Sequence, residues 1–82
     1  MSDGEIEKRV RNVLHEIRPN LQMDGNDAHV SSCEDGVISI CLSGDGIRSP
    51  ITYQGLQETV CEKIREYLPD IEQIHVYASD EW

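Results

Sequence analysis

Apolar residues recur along the first quarter of the chain at spacings of three and four: Ile6, Val10, Val13, Leu14, Ile17 and Leu21. That period is one face of an α-helix. The opposite face carries Glu7, Lys8, Arg11, His15 and Arg18. Ser2-Asp3-Gly4-Glu5 stands ahead of it with the S-x-x-E spacing of a capping box. Pro19 disfavours helical angles at Arg18, which predicts that the helix ends or kinks there, with Leu21 on a short further turn. Asp24-Gly25-Asn26-Asp27 has the composition of a loop.

The period then changes to two. Residues 28–34 and 37–43 are extended runs separated by Asp35-Gly36, the dipeptide of a tight hairpin. In the second run Ile38, Ile40 and Leu42 alternate with Ser39, Cys41 and Ser43, so one face is buried and the other wet. A two-residue turn pairs Cys33 with Ile38 and Ser31 with Ile40. Cys33 then faces the core, but Ala28 and Val30 face water. A bulge at Ser31-Ser32 returns both to the core, and one is expected there.

Ser43-Gly44-Asp45-Gly46-Ile47-Arg48-Ser49-Pro50 leaves this strand and enters a second helix. Ser49 is placed to cap it through its hydroxyl, and Pro50 suits the first helical position. A free helix N-terminus at the end of a glycine-bearing loop can hold an anion, a metal cluster or a partner. Leu56, Val60, Ile64 and Leu68 form an i, i+4 line flanked by Tyr53 and Tyr67, with Cys61 beside it. Gly55 inside this helix costs about 1 kcal/mol relative to alanine, which predicts a close packing contact there. Pro69 stops the helix. Residues 71–78 form a last strand, with Ile74 and Val76 inward and His75 and Tyr77 outward, and 79–82 a frayed tail.

The order α-β-β-α-β implies an α+β fold of two layers, with both helices on one face of a three-stranded sheet. It is one domain over residues 1–82, with its body at about 5–77. The expected core is Ile6, Val10, Val13, Ile17, Ile38, Ile40, Leu42, Leu56, Val60, Ile64, Ile74 and Val76.

Charge narrows the function. Sixteen carboxylates against seven Lys and Arg give a net charge of -9. That argues against a nucleic acid as partner, because a phosphate backbone needs clustered cations. It suits a soluble protein that meets basic surfaces. The acidic start has no secretory pattern, and no apolar run is long enough to span a bilayer, so no membrane contact is expected. Cys33, Cys41 and Cys61 are odd in number and lack the spacing of a disulfide framework. A reducing compartment follows, with the cytoplasm as the simplest one; an organelle after removal of a transit peptide fits the same facts.

The chain resembles a known family over about residues 5–77: the C-terminal domain of NifU-type iron–sulfur cluster scaffold proteins. Residues 13–27, VLHEIRPNLQMDGND, are similar to that family's helix ending in I-R-P-x-L-x-x-D-G-G-D. Glu34-Asp35-Gly36-Val37 with Leu42-Ser43-Gly44 is similar to its hairpin, and Leu68-Pro69-Asp70-Ile71 to its last turn. The resemblance implies the fold and a place among iron–sulfur assembly or client proteins. One departure falls on its functional centre. After L-x-G the family has a C-x-x-C loop and then proline; here Gly46 and Ser49 occupy the two cysteine positions, with Pro50 in register. Glycine offers no donor, and a serine hydroxyl is too weak an acid to replace the thiolate that these clusters need.

The expectation is therefore a non-enzymatic accessory or docking module that ligates no cluster through this loop and binds no metal. A cluster would require non-standard ligands or a partner's thiolates. Ile47, Arg48 and Tyr53 are the candidate contact residues, and a monomer is expected rather than a dimer. Cys33 reads as a core residue, Cys41 as lying on the wet face and Cys61 beside the apolar line, at spacings that match no compact ligand motif. His29 and His75 fall on the outer sheet face and would meet only if their strands were neighbours. A scaffold with non-standard ligands remains the nearest alternative. The element order is also close to that of KH-type RNA-binding domains, but Gly44 and Gly46 do not make the G-x-x-G that such a domain needs. On this reading Gly46→Cys with Ser49→Cys restores a cluster site at small cost, requiring a second chain to complete four thiolates.

Overall fold

The computed structural model describes residues 2–79. Helix α1 spans Asp3–Met23, strand β1 Asn26–Glu34, strand β2 Val37–Gly44, helix α2 Pro50–Tyr67 and strand β3 Gln73–Ala78. A short 3-10 turn, Asp45–Arg48, joins β2 to α2. The sheet order is β1-β2-β3. β1 pairs antiparallel with β2, and β3 joins the other side of β2 in parallel after the α2 crossover. This is the α-β-β-α-β two-layer α+β fold that the hydrophobic periods imply.

Each start and stop has a local cause. The Ser2 hydroxyl accepts from the Glu5 N–H at 3.3 Å and caps α1. Asp35 (φ 52°) and Gly36 (φ 80°) both sit in the left-handed region, as a two-residue hairpin turn of the mirror type requires. The Asp3 carboxylate accepts from both of their N–H groups, at 3.1 and 3.2 Å, and so ties the start of α1 to the hairpin. Sequence patterns carry no sign of that contact. The register shifts between Val30 and Ser32, the bulge expected from the misplaced Ala28 and Val30, and both residues are buried.

Helix α1 runs through Pro19 to Met23 without the expected break. Proline removes one i→i−4 hydrogen bond. Continuing the helix keeps Leu21 buried on the same stripe as Ile17, which offsets that loss.

The core joins the α1 stripe to Ile38, Ile40 and Leu42 of β2 and to Val60 and Ile64 of α2. Leu14, Leu21, Leu68 and Ile71 are buried as well. Leu56, Ile74 and Val76, expected in the core, are only half-buried and pack against it. The reason is topological: β3 is an edge strand, so nothing flanks Ile74 and Val76 on one side. Of the tail read as frayed, Ser79 donates its N–H to the Leu42 carbonyl at 3.0 Å, and positions 80–82 lie outside the described residues.

Gly55 makes no close packing contact; it is exposed, and a methyl group there would meet open space. Gly55→Ala is therefore expected to stabilise the protein by about 1 kcal/mol, because the helical propensity gain is opposed by no clash. A thermal melt should rise by roughly 4–8 °C; an unchanged or lower melting temperature would contradict the open environment of Gly55.

Candidate functional site

The segment from Gly44 to Pro50 lies where β1 begins and β2 ends, because Asn26 is the register partner of Gly44. A clasp from α1 holds that end together. The Arg18 guanidinium donates to both carboxylate oxygens of Asp27, at 2.8 and 3.0 Å, while the Gln22 amide and the Ala28 N–H add to the same carboxylate. The Arg18 hydrogen bonds dominate and hold the Asp27 carboxyl down to about 2. The Asp45 N–H donates to the Gly25 carbonyl at 3.3 Å, fastening the loop to the end of α1.

Within the loop the two positions of interest are unlike. Gly46 is buried, and its N–H donates to Asn26 Oδ1 at 2.7 Å. Ser49 is exposed. It stands at the N-cap of α2, but its hydroxyl makes no cap hydrogen bond. Its own N–H reaches back to the Gly46 carbonyl at 3.4 Å and closes the 3-10 turn. Pro50 at the helix start has no N–H, so α2 begins with one fewer donor to satisfy. Arg48 is exposed, whereas Ile47 and Tyr53 are half-buried against the core. Two large apolar side chains at the same end are far more open: Met23 at 85% and Ile51 at 86%. The signal for both was available, since each falls off the apolar stripe of its helix.

A profile of the NifU-like domain matches residues 10–75. The chain belongs to the NifU-like family. It is 36% identical over 66 residues to NifU-like protein 1, chloroplastic, of Arabidopsis thaliana, covering 76% of this chain and 29% of that one. It is 28% identical over 80 residues to the human NFU1 iron-sulfur cluster scaffold homolog, mitochondrial, covering 96% of this chain and 32% of that one. The chain thus spans about a third of the length of these relatives.

The motif correspondence expected from the sequence implies that the thiolates of an iron–sulfur cluster would stand at positions 46 and 49. The residues present do not fit such a group. Gly46 has no donor and no room for one: a Cβ there would lie 2.8 Å from Asn26 Oδ1 and 2.9 Å from Thr52 Cγ2. The low-cost restoration by Gly46→Cys with Ser49→Cys is thereby corrected. The barrier is this contact and not a positive φ, which Gly46 does not have.

The remaining thiols stand elsewhere. Cys33 lies seven residues along β1 from Asn26, about 23 Å at the usual strand rise. Cys61 lies twelve residues along α2 from Ser49, about 18 Å at the helical rise. Burial pushes both thiols up, away from the thiolate form that ligands and nucleophiles need. Cys41 points to the outer sheet face as expected. It is nonetheless buried, between its register partners His29 and Tyr77. His29 and His75 do not meet, because β2 separates their strands. Among the described residues no group of three or more His, Cys, Asp or Glu could hold a metal ion, and no helix is long and apolar enough to cross a membrane.

Proposed function

We propose that this NifU-like domain is an accessory module of iron–sulfur cluster assembly, which docks on scaffold, donor or acceptor proteins without ligating a cluster through its own loop. The observation that carries the reading is the pairing of a family match over residues 10–75 with a buried Gly46, which has no side-chain ligand atom, in the loop. Among the described residues no arrangement of nucleophile and base supports an enzymatic role. Docking would use the loop end, with exposed Arg48 and Ile51 at its centre and Ile47 and Tyr53 as partly covered support. The net charge of -9 disfavours nucleic acid as the partner, because a phosphate backbone needs clustered cations. The module acts as a monomer in a reducing compartment, which three free cysteines favour; the cytoplasm and an organelle interior both satisfy this.

The test is anaerobic co-purification of the tagged chain from its own cell. Iron–sulfur assembly or client proteins are expected to accompany it. Arg48→Glu with Ile51→Asp should reduce their recovery at least about five-fold, since central interface residues carry most of the binding energy, while the melting temperature stays unchanged. Recovery that ignores these substitutions, or the absence of any such protein, would contradict the docking role.

A further inference from the structure

Four groups converge under the loop: the Asn26 side chain, the backbone of Gly44, the backbone of Gly46 and the Thr52 methyl. Asn26 is 7% exposed, and its carboxamide oxygen is held by the Gly46 N–H at 2.7 Å. A Cβ built at Gly46 would meet Asn26 twice, at 2.8 Å from Oδ1 and 3.1 Å from Nδ2, and one built at Gly44 would lie 2.9 Å from the same Oδ1. At Gly46, then, glycine makes way for the Asn26 side chain; at Gly44 the nearer obstacles are backbone, the Gly25 carbonyl oxygen and the Asn26 Cα. The remaining contact at Gly46 is the Thr52 methyl at 2.9 Å, the end of a side chain on the exposed first turn of α2 that can turn aside. Asn26 cannot turn aside as cheaply. It is buried, and rotating it would strand the Gly46 N–H in a site closed to water.

We infer that Asn26 is the residue that closes this loop: its carboxamide fills the volume that any side chain at position 46 needs, so the site is shut by position 26 as well as lacking donors at 46 and 49. Asn26 is a positioning residue here. It sets the loop's shape through the Gly46 N–H, and the inference rests on reading this loop as one that ligates no cluster.

A stability cycle on the protein without iron tests it. In the wild-type background Gly46→Ala should lower the melting temperature by on the order of 10 °C, because a methyl group is forced into filled space. In an Asn26→Gly background, whose own melting temperature is the reference, the same Gly46→Ala change should cost no more than about 3 °C. An equal cost in both backgrounds would assign the obstacle to Thr52 or the backbone and overturn the inference, as would a harmless Gly46→Ala in the wild type. Should Asn26→Gly fail to fold, Asn26→Ser supplies the same cycle with a shorter side chain. An undiminished Gly46→Ala cost there overturns the inference equally.

The second readout is thiol reactivity. Ellman titration of native Asn26→Gly/Gly46→Cys/Ser49→Cys should find two more reactive thiols per chain than the wild type, whereas Gly46→Cys/Ser49→Cys without the change at 26 should find one. Two in both variants would contradict the closed site. These results concern the loop's shape alone, so they can fail while the wild type still takes up no iron. Iron uptake by the wild type would instead sink the proposed function and leave the cycle standing.

Discussion

Gly44→Ala is expected to unfold this protein or bring it to the edge of unfolding. Gly44 has φ 111° and ψ −171°, a backbone region essentially restricted to glycine. Holding alanine there costs about 1–3 kcal/mol in strain. A Cβ at this place would also press on the Gly25 carbonyl oxygen and lie 2.6 Å from the Asn26 Cα, both backbone atoms that cannot turn aside. Overpacking of that kind adds about 1–3 kcal/mol. The sum is on the order of 4 kcal/mol, a large part of the stability that so short a chain has. Circular dichroism should record a loss of roughly 20 °C in melting temperature, or no cooperative transition. A melt within a few degrees of the wild type would mean that β2 ends in a different conformation.

Breaking the Arg18–Asp27 clasp is expected to have the next largest effect. Arg18→Ala removes two charge-assisted hydrogen bonds from a carboxylate that is only partly exposed. Such bonds contribute about 1.5–3 kcal/mol in protected sites. The Arg18 side chain is 40% exposed, and solvent screening discounts that to about 1–2 kcal/mol. The melting temperature should fall by roughly 5–15 °C near neutral pH. Acid gives an independent check of sign. The Asp27 carboxyl is held at about 2 in the folded protein against an ordinary 3.8. Its contribution is therefore complete above the ordinary value and is lost as the pH falls through about 2. The melting temperature of Asp27→Asn should accordingly fall less between about pH 5 and pH 2 than that of the wild type. Parallel pH profiles for the two proteins would contradict the clasp.

The fold was legible because each element announces itself in one period. The 3.6-residue stripe of α1, the alternation in β2 and the i, i+4 line of α2 each bury the face they indicate. Even the bulge at Ser31 could be read, since Ala28 and Val30 would otherwise face water. Local rules misled where tertiary burial outweighed them. Pro19 should end a helix, but a buried Leu21 beyond it keeps α1 going. Gly55 misled for the opposite reason: its place inside a helix suggested a packing contact, but it faces open space.

The candidate site was legible only in its chemistry. Glycine and serine at positions 46 and 49 offer no thiolate. The occupied space behind Gly46 depends on Asn26, twenty residues away in sequence, and on a hydrogen bond with no local signature. Arg18 and Asp27 were visible as motif residues, yet only their 2.8 Å contact explains them as the clasp that sets the loop's position.

Anaerobic reconstitution of the wild-type chain with ferrous iron and sulfide, followed by iron and sulfide analysis after desalting, tests the central claim most directly. The account predicts a colourless protein with iron at background, unchanged by substituting Cys41 or Cys61. Stoichiometric iron and sulfide with charge-transfer absorbance, abolished by Cys41→Ser or Cys61→Ser, would contradict it and make this domain a scaffold with ligands of its own.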